Sequence, residues 1–115
     1  MHTHHTIDYI EFTVRDIPVA KRFYTEAFGW AFTDYGPDYA GIRGPGGEVG
    51  GLRQAEEVKQ GGPLVVVYST QLEASLEAVR SAGGTVVQQP FAFPGGRRFH
   101  FLDPSGNELA VWSPE

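Results

Sequence analysis

The sequence predicts an α+β fold built from two βαβββ modules. Short apolar runs alternate with a period of two, as strands with two different faces do. Two longer stretches carry apolar residues at helical spacing. Overlaying those stretches matches Ala20 with Ala74 and Gly29 with Gly83, an offset of 54 residues, so the same plan occurs twice.

The elements follow in order. Residues 7–14 read IDYIEFTV, and Ile10, Phe12 and Val14 alternate with Tyr9, Glu11 and Thr13, which predicts a strand. Asp16 is placed to cap a helix, and Pro18 falls in the first turn, where its missing N–H costs nothing. Ile17, Ala20, Phe23, Tyr24, Ala27 and Phe28 form the apolar stripe of that helix, and Gly29 ends it. Short strands are expected at Trp30–Tyr35, Tyr39–Gly44 and Glu48–Arg53, separated by Gly-Pro turns. In the second module Leu64–Tyr68 (LVVVY) is a strand, and Thr70 and Glu73 have capping-box spacing. Leu72, Leu76, Val79 and Ala82 form the second helical stripe, closed by Gly83-Gly84. Thr85–Gln89, Arg98–Leu102 and Glu108–Trp112 complete the set, with Asp103-Pro104-Ser105-Gly106 as the last turn.

At 115 residues the chain is expected to be a single domain, with module one at residues 7–53, a polar linker at 54–62 and module two at 63–113. A hydrophobic fraction of 41% and a charged fraction of 20% exclude disorder and fibrous repeats. No apolar run approaches the ~20 residues of a membrane span, and the N-terminus carries no secretion pattern. The absence of cysteine excludes disulfide scaffolds, zinc knuckles and thiol nucleophiles. A net charge of −5 argues against nucleic acid and anionic membrane as partners. Together these features lead us to expect a cytoplasmic protein.

Strand parity sorts the side chains. Ile10, Phe12 and Val14 belong under the first helix, so Tyr9, Glu11 and Thr13 take the opposite face. By the same rule Leu109 and Val111 face the second helix, and Glu108, Ala110 and Trp112 face away from it. The run LVVVY is apolar on both faces, and parity alone is silent there.

The strand Ile7–Val14, the stretch DIPVAKRFYTEAFGW at Asp16–Trp30, the second helix ending at Gly83-Gly84 and the terminal DPSGNELAVW at Asp103–Trp112 together resemble the vicinal oxygen chelate superfamily, which holds glyoxalases, bleomycin-resistance proteins and extradiol dioxygenases. The FYxxxFGW element at Phe23–Trp30 also resembles a subgroup related to lactoylglutathione lyases. The resemblance implies a curved mixed sheet, folded around a cavity and often completed in a homodimer. It places Leu64, Val66 and Tyr68 on the cavity side. Metal-using members carry one ligand on each of four strands. By motif spacing those positions fall on Tyr9, near Gly51, on Leu64 and on Ala110, none of which is an ordinary ligand.

The resemblance therefore implies the metal-independent, ligand-sequestering branch: a small-molecule binding protein with no metal and no cofactor. The expected lining for an apolar or aromatic ligand is Tyr9, Glu11, Leu64, Tyr68, Ala110 and Trp112. Glu11 is the first choice for a general base if a reaction occurs, and Arg43, Arg53 and Arg97 are its candidate structural partners. Two alternatives remain open: a metal-dependent lyase or isomerase with relocated ligands among Glu11, Glu48, His100 and Glu108, and an interaction module without a small ligand. Glu48 and Glu108 read more simply as solvated carboxylates, His100 as a packing residue, and Arg97-Arg98 as a solvated loop. Tyr39 joins the aromatic set, while Trp30 and Phe32 read as packing residues of the sheet or a dimer seam. His2, His4 and His5 lie on a terminus, where no rigid frame is expected.

Overall fold

In the computed structural model, which describes residues 2–58 and 62–114, the alternating run of β1 (Ile7–Val14) does form a strand. Helix α1 (Ile17–Phe28) begins where Asp16 accepts a hydrogen bond from the Val19 amide at 3.0 Å. It ends at Gly29, whose φ of +75° permits the left-handed cap, with its N–H bonded to the Thr25 carbonyl at 2.8 Å. There follow β2 (Ala31–Asp34), β3 (Tyr39–Gly44), β4 (Gly47–Gln54), β5 (Leu64–Tyr68), α2 (Leu72–Ser81), β6 (Thr85–Phe93), β7 (Gly96–Leu102) and β8 (Glu108–Ser113). Of the linker expected at 54–62, Gln54 is the last residue of β4, and residues 59–61 lie outside the described part.

The chain forms two units, one of Tyr9–Pro63 and one of His2–Asp8 with residues 64–114. In the first, the strands run β2-β3-β4-β1, with β1 parallel to β4 and the other pairs antiparallel. Helix α1 covers one face. Ile17, Ala40, Ile42 and Leu52 are buried there, with Phe12, Val14, Ala20, Tyr24, Trp30 and Phe32 packed against them. In the second unit the order is β5-β8-β7-β6, with β5 parallel to β8. Leu72, Leu76, Phe99 and Val111 are buried under α2, with Val67, Val79, Val86 and Phe101 beside them. Each unit is thus a βαβββ module, and Phe12 and Val14 in the first and Val111 in the second pack under their own helix as the sequence predicts, whereas Ile10 is exposed and Leu109 stands outside the buried cluster. No helix among the described residues is long and apolar enough to cross a membrane.

Three local expectations are corrected. Strand β6 runs on to Phe93, through Pro90; within its unit it pairs only with β7, and the register shifts between Gln88 and Phe91, so the absent proline N–H breaks no ladder. The capping box at Thr70 does not form. The N-cap is Gln71 without a side-chain bond, and Thr70 gives its amide to His4 Nδ1 at 2.9 Å instead. Arg97 and Arg98 belong to β7 rather than to a loop, and Arg97 clamps Glu73 of α2 through two bonds of 2.6 and 3.1 Å.

Candidate functional site

Both candidate faces lie opposite the helix of their own unit. In the first unit the register sets Gly41, Gly51 and Glu11 in one row across β3, β4 and β1. Two glycines in that row leave a bare strip of backbone, and long polar side chains lie over it. A Cβ on Gly51 would overlap the hydroxyls of Tyr39 and Tyr9, and a Cβ on Gly41 would overlap the carboxylate of Glu48.

These side chains form one network. The Tyr39 hydroxyl donates to Glu11 Oε1 at 3.0 Å, and the Tyr9 and Tyr39 hydroxyls are 2.6 Å apart. A phenol has a single proton. Tyr39 gives its proton to the carboxylate, so the short contact uses the proton of Tyr9, and the 3.4 Å approach of Tyr9 to Glu48 Oε1 is a weak second one. Tyr35 donates to the other oxygen of Glu48 at 2.5 Å. Glu48 is exposed, as expected, yet holds one end of this chain. Glu11 is 5% exposed, and its second oxygen lies 3.6 Å from Arg53 Nε. Arg53, one of the three arginines expected as partners, thus lies within ion-pair distance of Glu11. Burial raises the pKa of both Tyr9 and Tyr39 above the ordinary 10.0. For Tyr39 the charge of Glu11 adds to this; for Tyr9 the bond to Tyr39 opposes it, while the charges of Glu48 and Glu11 add to it.

In the second unit the register sets Tyr68, Trp112, Arg98 and Phe91 in one row, and Val66, Ala110, His100 and Gln88 in the next. The rings of Tyr68 and Trp112 meet edge-to-face at 5.4 Å. Phe93 lies 6.1 Å from Trp112, and the Arg98 guanidinium lies over Phe91 and Phe93 at 5.6 and 5.8 Å. Ala110 is fully buried beside this aromatic row, and Leu64 is half-buried at the start of β5. His100 is buried with Nδ1 3.0 Å from Glu108 Oε2, so Glu108 is a partner of the histidine rather than a solvated strand end.

The structure corrects the reading of the N-terminal tail. His5 donates its amide to the Tyr68 carbonyl at 2.7 Å, Tyr68 returns its own to Thr6 at 3.0 Å, and His5 Nε2 meets Ser75 Oγ at 2.8 Å. His2 stacks on Tyr68 at 4.9 Å with its Nδ1 2.7 Å from Asp8. The frame absent from local sequence is supplied by β5 and α2.

Of the six residues expected to contact a ligand, Tyr9 and Glu11 are joined through Tyr39 in the first unit, and Tyr68, Ala110 and Trp112 share one face of the second. The sequence pointed to Tyr39 only as an aromatic; the signal for its role is its parity with Gly41 and, through the strand pairing, with Gly51. Asp8 was missed. It alternates with Tyr9, and only the fold shows that it accepts the Trp112 indole N–H at 3.0 Å.

No curated protein matches the sequence. Among solved structures the chain is similar to the Mn(II)-bound glyoxalase of Novosphingobium aromaticivorans, at 25% identity and a TM-score of 0.74, over 99% of this chain and 40% of that one. It has the same fold as methylmalonyl-CoA epimerase of Mycobacterium tuberculosis, at 17% identity and a TM-score of 0.74, over 100% of this chain and 93% of that one. A hypothetical protein of Bacillus halodurans C-125 shares that fold at 14% identity and a TM-score of 0.76, over 98% of this chain and 96% of that one. The model of the Glyoxalase/Bleomycin resistance protein/Dioxygenase superfamily matches residues 6–111, and the chain belongs to that family.

Proposed function

We propose that this protein binds a small apolar or aromatic molecule without a metal. The observation that carries the reading is at Gly51: the space a ligating side chain would need there is filled by the hydroxyls of Tyr9 and Tyr39, themselves tied to Glu11. The other positions implied by the family pattern offer an engaged phenol at Tyr9, an isobutyl group at Leu64 and a buried methyl at Ala110, which is no donor set for a divalent cation. Tyr68 and Trp112, with Ala110 on the same face, supply an apolar contact surface, and Leu64 lies at the other end of β5. Burying about 200 Å2 of ligand on such a surface yields roughly 5 kcal/mol before the costs of binding. Glu11 orients polar groups through its network, and is the group to test as a base if a proton is transferred.

The protein is further proposed to act as a cytoplasmic homodimer. In the first unit Val19, Phe23 and Phe28 of α1 are exposed, and a cleft of about 420 Å3 lined by Ile10, Phe12, Trp30, Ile42 and Val49 opens on the α1 side of the sheet.

Two measurements test the proposal. Metal content after exhaustive dialysis is expected to be far below one ion per chain, and flat aromatic compounds are expected to raise the melting temperature in chelator. Stoichiometric manganese, nickel, iron or zinc that survives replacement of His2, His4 and His5 by alanine would overturn metal independence and favour relocated ligands such as His100 and Glu108. Sedimentation is expected to show the same dimer with and without chelator.

A further inference from the structure

His2 offers a view of what the aromatic face of the second unit accepts. Its ring lies nearly parallel to Tyr68, at 4.9 Å and 18°, and meets Trp112 edge-on at 5.3 Å and 87°. Its Nδ1 is 2.7 Å from Asp8 Oδ1, while Asp8 Oδ2 accepts the Trp112 indole N–H at 3.0 Å. The Asp8 side chain is 9% exposed and that of His2 is 49% exposed. A carboxylate so removed from water, with a neutral indole as its fixed partner, favours a positive charge beside it. The faces of Tyr68 and Trp112 favour the same charge through their ring quadrupoles. Arg98, opposite Trp112 in the pairing of β7 with β8, already lays one planar cation over Phe91 and Phe93. A second cation on this face therefore depends on Asp8.

The tail is fastened behind His2. His4 accepts the Thr70 amide, His5 bonds to Tyr68 and Ser75, and His5 adopts a φ of +61°, a left-handed conformation that a non-glycine residue holds only when its surroundings fix it. His2 lies beyond these anchors, so its ring can leave while they stay in place.

We propose that Asp8, Tyr68 and Trp112 form a recognition site for a planar nitrogen cation of the imidazolium, amidinium or guanidinium class, with the imidazole of His2 as the resident occupant that an external ligand displaces. The inference rests on reading Tyr68 and Trp112 as ligand-contacting residues.

The test titrates the full chain with benzamidine and with benzamide, its neutral near-isostere. The readout is the indole 1H–15N resonance of Trp112, assigned with Trp112→Phe. If the His2-out state is about one tenth populated, removing the occupant tightens benzamidine about tenfold in His2→Ala relative to the parent chain. Benzamidine is expected to bind His2→Ala more tightly than benzamide does, and Asp8→Asn on the His2→Ala background is expected to abolish that preference. Equal benzamidine affinity in the parent chain and His2→Ala overturns the role of His2. Equal binding of the two probes to His2→Ala overturns the cation preference while leaving an aromatic-binding surface intact. That comparison needs no change at Asp8, so it decides even if Asp8→Asn fails to fold. If neither probe moves the resonance in His2→Ala, this inference and the reading of Tyr68 and Trp112 both fail.

Discussion

The hydroxyls of Tyr9 and Tyr39 meet 2.6 Å apart over the bare α-carbon of Gly51. The glycine and the phenol pair are alternatives for one volume: a side chain at position 51 displaces the phenols, and the phenols exclude a side chain. Gly51→Ala is accordingly expected to destabilise by about 1–3 kcal/mol through overpacking, as read from urea unfolding. Gly46→Ala, in a hairpin turn with open space around it, serves as the control and is expected to stay within about 0.5 kcal/mol of the parent. Equal effects at the two sites would show that the hydroxyls move aside freely.

Tyr39 is the hinge of the network, since its hydroxyl meets both Tyr9 and Glu11. Tyr39→Phe leaves Glu11 buried with one acceptor bond fewer, and a loss of about 1–3 kcal/mol is expected. Tyr9→Phe removes a hydroxyl that reaches Tyr39 and the exposed Glu48, and the cost is expected to be smaller.

The same pair sets an alkaline response. Burial raises the pKa of Tyr9 and Tyr39 above 10.0, so the neutral phenols are favoured in the folded state. Their contribution to stability is fully present below pH 10.0 and is lost as pH rises through that value toward the folded pKa. Absorbance titration of tyrosinate is expected to show two phenols that ionise late and only with unfolding. Tyr39→Phe is expected to flatten the fall in melting temperature above pH 10.0; an unchanged profile would remove Tyr39 from the cause.

Much of this arrangement was legible in the sequence where a local rule sufficed. The period of two in Ile7–Val14 assigned Phe12 and Val14 to the helix side and Glu11 to the other, and the packing agrees. Asp16 and Gly29 bounded α1 because capping is decided within a few residues. What was not legible depends on strand partners far apart in the chain. Gly51 falls in the strand expected at Glu48–Arg53, but nothing local tells what lies over it until the register sets it beside Glu11 and under Tyr39. The seat of His2 is built from Asp8, Tyr68 and Trp112, which no local pattern connects. Thr70 and Glu73 had capping spacing, yet the tail takes the Thr70 amide, a tertiary contact overriding a local preference.

That override yields a contrast between the two helix starts. Asp16→Ala removes the bond to the Val19 amide and is expected to cost about 1 kcal/mol. Thr70→Ala removes no cap bond from α2, and loses only an exposed 3.1 Å contact with His4, so its effect is expected within about 0.5 kcal/mol. A cost at Thr70 equal to that at Asp16 would restore the capping box. Chemical denaturation of the two variants against the parent decides it.

Asp103 governs the turn between β7 and β8. Its Oδ1 accepts the amides of Ser105 and Asn107, each at 2.9 Å, and its Oδ2 accepts the Asn107 side-chain amide at 2.9 Å. The bond from the Asn107 side chain, with the backbone bonds of Asn107, Ser105 and Gly106, lowers its pKa below 3.8. The charged form is therefore favoured in the folded state. Its contribution is present above pH 3.8 and is lost as the pH falls through that value toward the folded pKa. Asp103→Asn keeps the shape but weakens the acceptor, so it is expected to lower the melting temperature at pH 7 and to differ less from the parent at pH 2. A gap between the two melting temperatures that stays constant with pH would mean that the turn depends on shape and not on the charge of Asp103.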